Sequence, residues 1–301
     1  MLRILVIGSK GFIGTHATKY LMVRGHQVFG ADVSVDYGAE NYFLIDAANS
    51  NFDEVFQKNQ FDLCVNCSGA ASVPDSIKNP ARDFHLNASN VFSLLDAVKK
   101  NVPDCKVINL SSAAVYGNPV HLPVKESDPL NPISPYGFHK RASEYICEEF
   151  HRFFGLKVAS LRIFSAYGEG LKKQLFWDLH KKAQPGNLVN LFGSGKESRD
   201  FIYIQDLVRL IEIVAEKSDF KGDIINAANG IETKINEAAT TFMKHWKLDV
   251  ELNFTGKERK GDPSRWVADI NKAKAMGYEP QFTLEAGLKN YCQWLQAETE
   301  K

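Results

Sequence analysis

The chain has no excess of charge of either sign: 36 lysines and arginines stand against 36 aspartates and glutamates in 301 residues. A nucleic-acid scaffold needs a concentrated positive face to release counterions, so that class is excluded and no nucleic-acid partner is expected. Long apolar runs are missing too. No stretch approaches the length that crosses a bilayer. The opening run from Met1 to Gly8 is too short for a signal core, and Lys10 follows at once. A buried first strand, a cytoplasmic location and no membrane partner are therefore expected. Cysteine is scarce. Cys64, Cys67, Cys105, Cys147 and Cys292 are scattered over a chain with no secretory signal, which argues against disulfides. Cys64 and Cys67 form a C-x-x-C inside an apolar run, whereas a redox motif sits at a helix start and a zinc site needs a second pair. The eight histidines show no close pairing. No metal is expected, and neither repeats nor low-complexity tracts are visible.

What is present is an alternation. Short β-branched runs at Ile4–Ile7, Val28–Phe29, Tyr42–Ile45, Leu63–Val65, Val107–Leu110 and Val158–Leu161 are separated by helical patterns. These include one long amphipathic segment from about residue 81 to 100 and another from about 135 to 154. Strands regularly separated by helices predict a doubly wound α/β fold, a parallel (Rossmann) sheet with its ligand crevice at the strands' carboxyl ends. After about residue 164 the segments shorten and become glycine-rich, with helical patterns near 205–216, 235–246 and 283–296. The expected division is a sheet domain over 1–164 and a smaller mixed α/β lobe over 165–301, some of whose segments return to the sheet domain.

Gly8-Ser-Lys10-Gly11-Phe12-Ile13-Gly14 follows the first strand and opens the first helix. Gly8 permits the tight turn, Gly11 lets the backbone approach a pyrophosphate, and Gly14 allows close helix–strand packing. The free N–H groups and the dipole of the helix favour an anion there. With 21 glycines, chance supplies roughly a tenth of such a match per chain. Asp32, at the end of the second strand, can accept hydrogen bonds from an adenosine ribose and would repel a 2′-phosphate, so NAD is expected over NADP. The competing reading of Asp32 is a solvated turn residue.

Tyr136-Gly-Phe-His-Lys140 is a Y-x-x-x-K. Ten tyrosines and 26 lysines make about one such match expected by chance. Its setting carries the weight: it opens a helix announced by Asn131-Pro-Ile-Ser-Pro135, so both side chains share one face. It also follows a strand that runs into Ser111-Ser112 at the sheet's carboxyl edge. A free phenol has a pKa near 10 and is a poor base at neutral pH. An ammonium at Lys140 and a positive nicotinamide would both favour the phenolate.

The glycine spacing resembles the extended branch of the short-chain dehydrogenases. Ser111-Ser-Ala-Ala-Val-Tyr-Gly117, Leu122-Pro-Val-Lys-Glu126 and Ser134-Pro-Tyr-Gly-Phe-His-Lys140 resemble the NAD-dependent sugar-nucleotide epimerase/dehydratase family. So do Gly193 to Phe201 and the stretch from Arg259 to Asp269, which places the resemblance over nearly the whole chain. It implies Ser112, Tyr136 and Lys140 as catalytic residues, with Tyr136 taking a proton from a sugar hydroxyl while Ser112 holds the reacting oxygen. For the cofactor it implies the glycine loop with Asp46, Ala47, Ser68, Gly69, Ala70 and Asn87. For a nucleotide-diphosphate sugar it implies Ser72, Ser112, Ser165, Arg199, Arg259 and Trp266. The arginines suit the diphosphate because a guanidinium fork pairs phosphate oxygens bidentately. The resemblance further implies a homodimer built on the 81–100 helix and the helix of Tyr136. Ala142, Ile146 and Phe150 lie on the latter, facing either a partner or the sheet.

Within that family, dehydratases place Asp-Glu where this chain has Ala113-Ala114, so elimination of water loses its acid and base. An epimerase, most simply interconverting UDP-glucose and UDP-galactose through a 4-keto sugar, is the leading expectation. A nucleotide 4-keto-6-deoxysugar reductase and a non-catalytic dinucleotide-binding regulator are the alternatives. Ser165 stands where the epimerases carry an asparagine near the substrate phosphates, and it reaches less far. A bulky residue at Trp266 narrows the space beside the sugar's C2 in similar 4-epimerases; packing of the small lobe is the other reading of it.

Overall fold

A computed structural model describes residues 1–300 except 39, 47–49, 185, 187 and 258–260. Its first half alternates as the sequence predicts. The strands are β1 (Arg3–Ile7), β2 (Gln27–Asp32), β3 (Tyr42–Leu44), β4 (Leu63–Asn66), β5 (Lys106–Ser112) and β6 (Val158–Ile163). Between them run α1 (Phe12–Val23), α2 (Asp53–Gln57), α3 (Val73–Lys78), α4 (Pro80–Phe84), α5 (Asn90–Asn101) and α6 (Pro135–Phe154). The later part contains β7 (Ser165–Tyr167), α7 (Gln174–Lys182), β8 (Leu188–Leu191), β9 (Ser198–Tyr203) and α8 (Ile204–Lys217). It continues with β10 (Lys221–Ala227), β11 (Glu232–Lys234), α9 (Ile235–Trp246), β12 (Glu251–Phe254), α10 (Asn271–Ala275) and α11 (Leu284–Thr299).

Seven strands form one parallel sheet in the order β10-β6-β5-β4-β1-β2-β3. The order reverses between β1 and β4, which opens a crevice at their carboxyl ends. Alternation along β1 explains the two-sided core. Ile4 and Val6 pack with Leu21 and Ile211 on one face, while Leu5 and Ile7 pack with Leu94 and Phe150 on the other. β10 and α8 lie far along the chain, yet β10 pairs with β6 and α8 packs on α1, so both belong to the sheet's layers. The remaining later elements make a three-stranded sheet, β11-β9-β7, and a two-stranded one, β12-β8, over which α7, α9 and α11 pack.

The amphipathic segment near 81–100 is not one regular helix. α4 runs into a π-helical turn at His85–Ser89 before α5 begins. Such a turn widens the ring of backbone hydrogen bonds and re-aims side chains, and it often marks a functional site. Here it carries Asn87. Among the described residues, no helix is long and apolar enough to cross a membrane.

Candidate active site

The glycine loop lies directly against the neighbouring strand's exit. Gly8 has φ +76°, and a Cβ on it would lie 2.8 Å from the backbone of Cys67 and Ser68. A Cβ on Gly14 would meet the Gly8 carbonyl oxygen at 2.0 Å, so the first turn of α1 is clamped onto the loop and only glycine fits. Gly11 occupies the N-cap of α1 without a side-chain cap, and the first turn, Phe12, Ile13 and Gly14, holds no acidic residue. Its N–H groups are the orphan donors an anion needs. Asp32 accepts the Lys10 backbone N–H at 2.9 Å, which braces the loop, and the Ser34 N–H at 3.2 Å, which closes a turn at the strand's end. The Lys10 ammonium is paired with Asp36 and lies 5.1 Å over the Tyr42 ring. Asp46, just beyond β3, is exposed. Ala47 lies outside the described residues.

The loop after β4 brings Ser68, Gly69 and Ala70 to the same edge. Ser68 donates through its hydroxyl to Asn66 at 2.6 Å. A Cβ on Gly69 would stand 2.6 Å from Asn87 Oδ1 and 3.4 Å from Lys140 Nζ, so those two side chains converge there. Asn87 is 1% exposed, and both polar atoms of its amide lack a partner among the described residues. Burying an amide unpaired costs a few kcal/mol, which a ligand would recover. The clamped glycine loop, the uncapped helix start and this orphaned amide fit a dinucleotide. Ser72 caps α3 by accepting the Asp75 N–H at 3.2 Å.

Ser112 ends β5, and its oxygen accepts the Ala114 N–H at 3.2 Å. The Tyr136 phenol lies beside it, and hydrogen-bonding with Ser112 lowers the phenol's pKa. α6 begins where the sequence predicts because Ser134 caps it, accepting the Gly137 N–H at 3.2 Å, with Pro135 at its first position. Gly137 lets that helix start press onto the strand exit: a Cβ there would lie 2.5 Å from the Ala114 carbonyl oxygen. Lys140, 6% exposed, donates to the Leu110 carbonyl at 2.8 Å. Burial pushes its ammonium down to about 8, against partial support from Asp83, Glu144, Cys147 and Cys67. Burial pushes the Tyr136 phenol up to about 12, the Ser112 hydrogen bond pulls it down, and the Asp83 charge raises it. The acidification expected from Lys140 is therefore not among the forces on Tyr136 in the protein alone. Lys140 points at the Leu110 carbonyl instead.

Farther out, Arg199 on β9 lies half-buried with its guanidinium 5.5 Å over the Trp266 ring. Burial lowers its pKa while Asp262 and Glu197 oppose the shift. Trp266 donates its indole N–H to the Gly117 carbonyl at 2.9 Å and meets Phe164 edge-on, so it ties the segment after Ser112 to Arg199. Ser165, on β7, pairs with Phe201 of the adjacent strand β9, two residues beyond Arg199. Arg259 lies outside the described residues. Three features were not legible beforehand. Asp200 is a fully buried carboxylate accepting N–H groups of Asn229, Gly230 and Ala268, which anchors β9. His139 holds Asp83 at 2.6 Å beside the tyrosine and lysine. The third is the π-helical turn itself. Asp83 and His139 are 56 residues apart, so no local pattern links them.

A glycine-clamped helix start at a sheet's switch point, together with a serine, tyrosine and lysine at the next strand exit, defines a dinucleotide-dependent enzyme of the Rossmann class. Residues 4–228 match the NAD dependent epimerase/dehydratase family, and the chain belongs to it. Its cofactor is NAD, and its type is that of the NAD-dependent sugar-nucleotide epimerases. It is 30% identical to a putative UDP-glucose 4-epimerase of Methanocaldococcus jannaschii, over 97% of this chain and 98% of that one. Its fold is similar to a UDP-glucose 4-epimerase of Thermotoga maritima in complex with UDP-glucose, with TM-score 0.89, 29% identity and coverage of 99% and 100%. It is equally similar to a UDP-glucuronic acid 4-epimerase of Bacillus cereus in complex with UDP-glucuronic acid and NAD, with TM-score 0.89, 26% identity and the same coverage.

Proposed function

We propose that this chain inverts the sugar of a nucleotide-diphosphate hexose at C4, most simply interconverting UDP-glucose and UDP-galactose. The observation that carries the reading is the strand exit at Ser112. Ala113 and Ala114 are buried there, and the Ala114 carbonyl is packed against Gly137. The position that would need an acid and a base for dehydration holds two methyl groups in closed packing, while the serine, tyrosine and lysine remain.

NAD, when bound, supplies a hydride acceptor that returns the hydride within the same turnover. The Gly8–Gly14 loop and the start of α1 would hold its pyrophosphate, and Asp32 its adenosine ribose. Tyr136 removes the proton of the sugar's C4 hydroxyl and later gives it back. Ser112 hydrogen-bonds the same oxygen, strengthens as charge develops, and keeps the carbon aligned. Lys140 would hold the cofactor's ribose beside that pair. Arg199, braced by Trp266, grips the diphosphate, and Arg259 is its proposed companion. With the nucleotide held this way, the keto sugar can turn over while its anchor stays in place.

A second copy of this chain is the proposed partner. Phe92 on α5 and Tyr145, Phe153 and Phe154 on α6 lie exposed, Phe153 at 76%. Phe150 instead faces the sheet, and Ala142 and Ile146 are half-buried.

Mass spectrometry of the nucleotides retained by the purified protein, combined with turnover of UDP-glucose and UDP-glucuronic acid, tests the reading. Retained NAD and conversion to the C4 epimer support it, and the preferred sugar names the substrate. Stoichiometric consumption of NAD(P)H with a 4-keto sugar, and no epimerisation, would mean a reductase. Tyr136→Phe is expected to lower kcat by about 100- to 10,000-fold, the usual contribution of a positioned acid–base group. Unchanged turnover in that variant removes Tyr136 from the chemistry.

A further inference from the structure

Asp83 lies on α4 and is 3% exposed. One carboxylate oxygen is held by His139 Nδ1 at 2.6 Å, and the other, equally buried, has no hydrogen-bond partner among the described residues. A bare carboxylate oxygen inside a protein is costly and persists where its charge is used. Its surroundings show what could use it. His139 follows Tyr136 by three residues and precedes Lys140 by one, so the imidazole that fixes Asp83 is part of the turn that carries the tyrosine and lysine. Phe84 closes over the imidazole edge-on at 5.4 Å. Asn87, four residues beyond Asp83 and turned by the π-helical segment, reaches Gly69 where Lys140 Nζ also arrives.

The charged and titratable groups facing Lys140 come from three elements: Asp83 on α4, Glu144 and Cys147 on α6, and Cys67 after β4. Glu144 is taken up by Arg162 in a two-pronged pair at 2.9 and 2.8 Å and by the Ser111 hydroxyl at 2.6 Å. Among the described residues, Asp83 has the His139 imidazole as its hydrogen-bond partner. It is thus the carboxylate beside Lys140 whose charge is not already matched by a guanidinium.

We propose that Asp83, fixed by His139, is the counter-ion of Lys140 in the cofactor pocket and a positioning residue for the Tyr136–Lys140 pair. A lysine in so dry a site releases its proton early, and a buried negative charge several ångströms away holds that proton on. The same charge opposes a phenolate at Tyr136, so ionisation of the phenol waits for the positive nicotinamide. The order of events follows: Lys140 is charged in the resting protein, and Tyr136 becomes a base once an oxidised cofactor is in place. The inference rests on Tyr136 and Lys140 being the acid–base pair, but its direct test does not need turnover.

The test follows the Lys140 ammonium by the pH titration of its 13Cε resonance in lysine-labelled, full-length protein as purified, with the signal assigned through Lys140→Met. In Asp83→Asn the midpoint is expected to fall by about one pH unit, the effect of removing a charge at several ångströms. Asp83→Glu is expected to keep it. A midpoint unchanged within about 0.3 units in folded Asp83→Asn protein overturns the proposal, since one unit is the size of a single neighbouring charge. Should Asp83→Asn fail to fold, the His139 pair decides. His139→Phe frees Asp83 and is expected to lower kcat about tenfold at constant KM with a shifted pH profile, and His139→Gln, which still donates, to restore both. A wild-type pH profile in His139→Phe sinks the idea. Loss of epimerisation with every nucleotide sugar, alongside a shifted Lys140 midpoint, would refute the proposed function and leave this coupling standing.

Discussion

Lys140 pays in stability for its place in the site. Its folded-state pKa of about 8 lies below the ordinary 10.5, so the unfolded chain binds the more protons between those values. The cost is fully present below pH 8 and is relieved as pH rises through the window, by at most about 3 kcal/mol. Urea unfolding of wild type and Lys140→Met at pH 7.5 and pH 10 reads this directly. The wild type is expected to gain on the variant by a few kcal/mol as pH rises, and a constant difference would show that the ammonium is not desolvated. Tyr136 has the opposite sign, since its raised pKa makes the folded state hold its proton longer. Residue identity at these positions was legible in the sequence, because Y-x-x-x-K at a helix start puts both side chains on one face. Their electrostatics were not. The sequence predicts a phenol acidified by the neighbouring ammonium, whereas the fold sends that ammonium to the Leu110 carbonyl and sets a buried Asp83 beside both groups.

At the scale of elements, α6 does most to assemble the site. It is defined at both ends by local chemistry: the Ser134 cap and Pro135 begin it, and Gly155 in the left-handed conformation ends it at φ +71°. Ser134→Ala is expected to cost about 1 kcal/mol of stability in chemical denaturation and to lower kcat, because the frayed turn is the one that carries Tyr136. A stability change with kcat intact would mean that packing of Gly137 on Ala114 suffices to hold the turn. α6 was readable because its signals are adjacent in the chain. The break between α4 and α5 was not, since a π-helical turn has no marker in apolar periodicity.

Over the whole molecule, a buried polar network binds layers that the sequence keeps apart. Arg162 on β6 pairs with Glu144 on α6 and donates to the Tyr116 hydroxyl at 2.9 Å, and Tyr116 donates to Asn226 on β10 at 2.7 Å. These contacts span up to 110 residues, and they seat β10 as the sheet's outer strand on that side. The exposed aromatic face of α5 and α6 belongs to this scale as well. Phe153→Asp is expected to convert a dimer of roughly twice 33.7 kDa into a monomer by light scattering, since it buries a charge in an apolar contact. A wild type that is already monomeric removes the proposed partner.

The sequence by itself determined the parallel α/β sheet, the phosphate loop, the NAD preference and the three candidate catalytic side chains. The sheet and the loop show in periodicity and glycine spacing, and Asp32 and the catalytic set show in their places at strand and helix ends together with the family resemblance. Only the tertiary structure decided which charges surround Tyr136 and Lys140, that Asn87 is orphaned in the pocket, and that Trp266 braces Arg199. Those depend on packing between segments far apart in the chain, and burial, which sets the strength of every charge in the site, exists only once they have met.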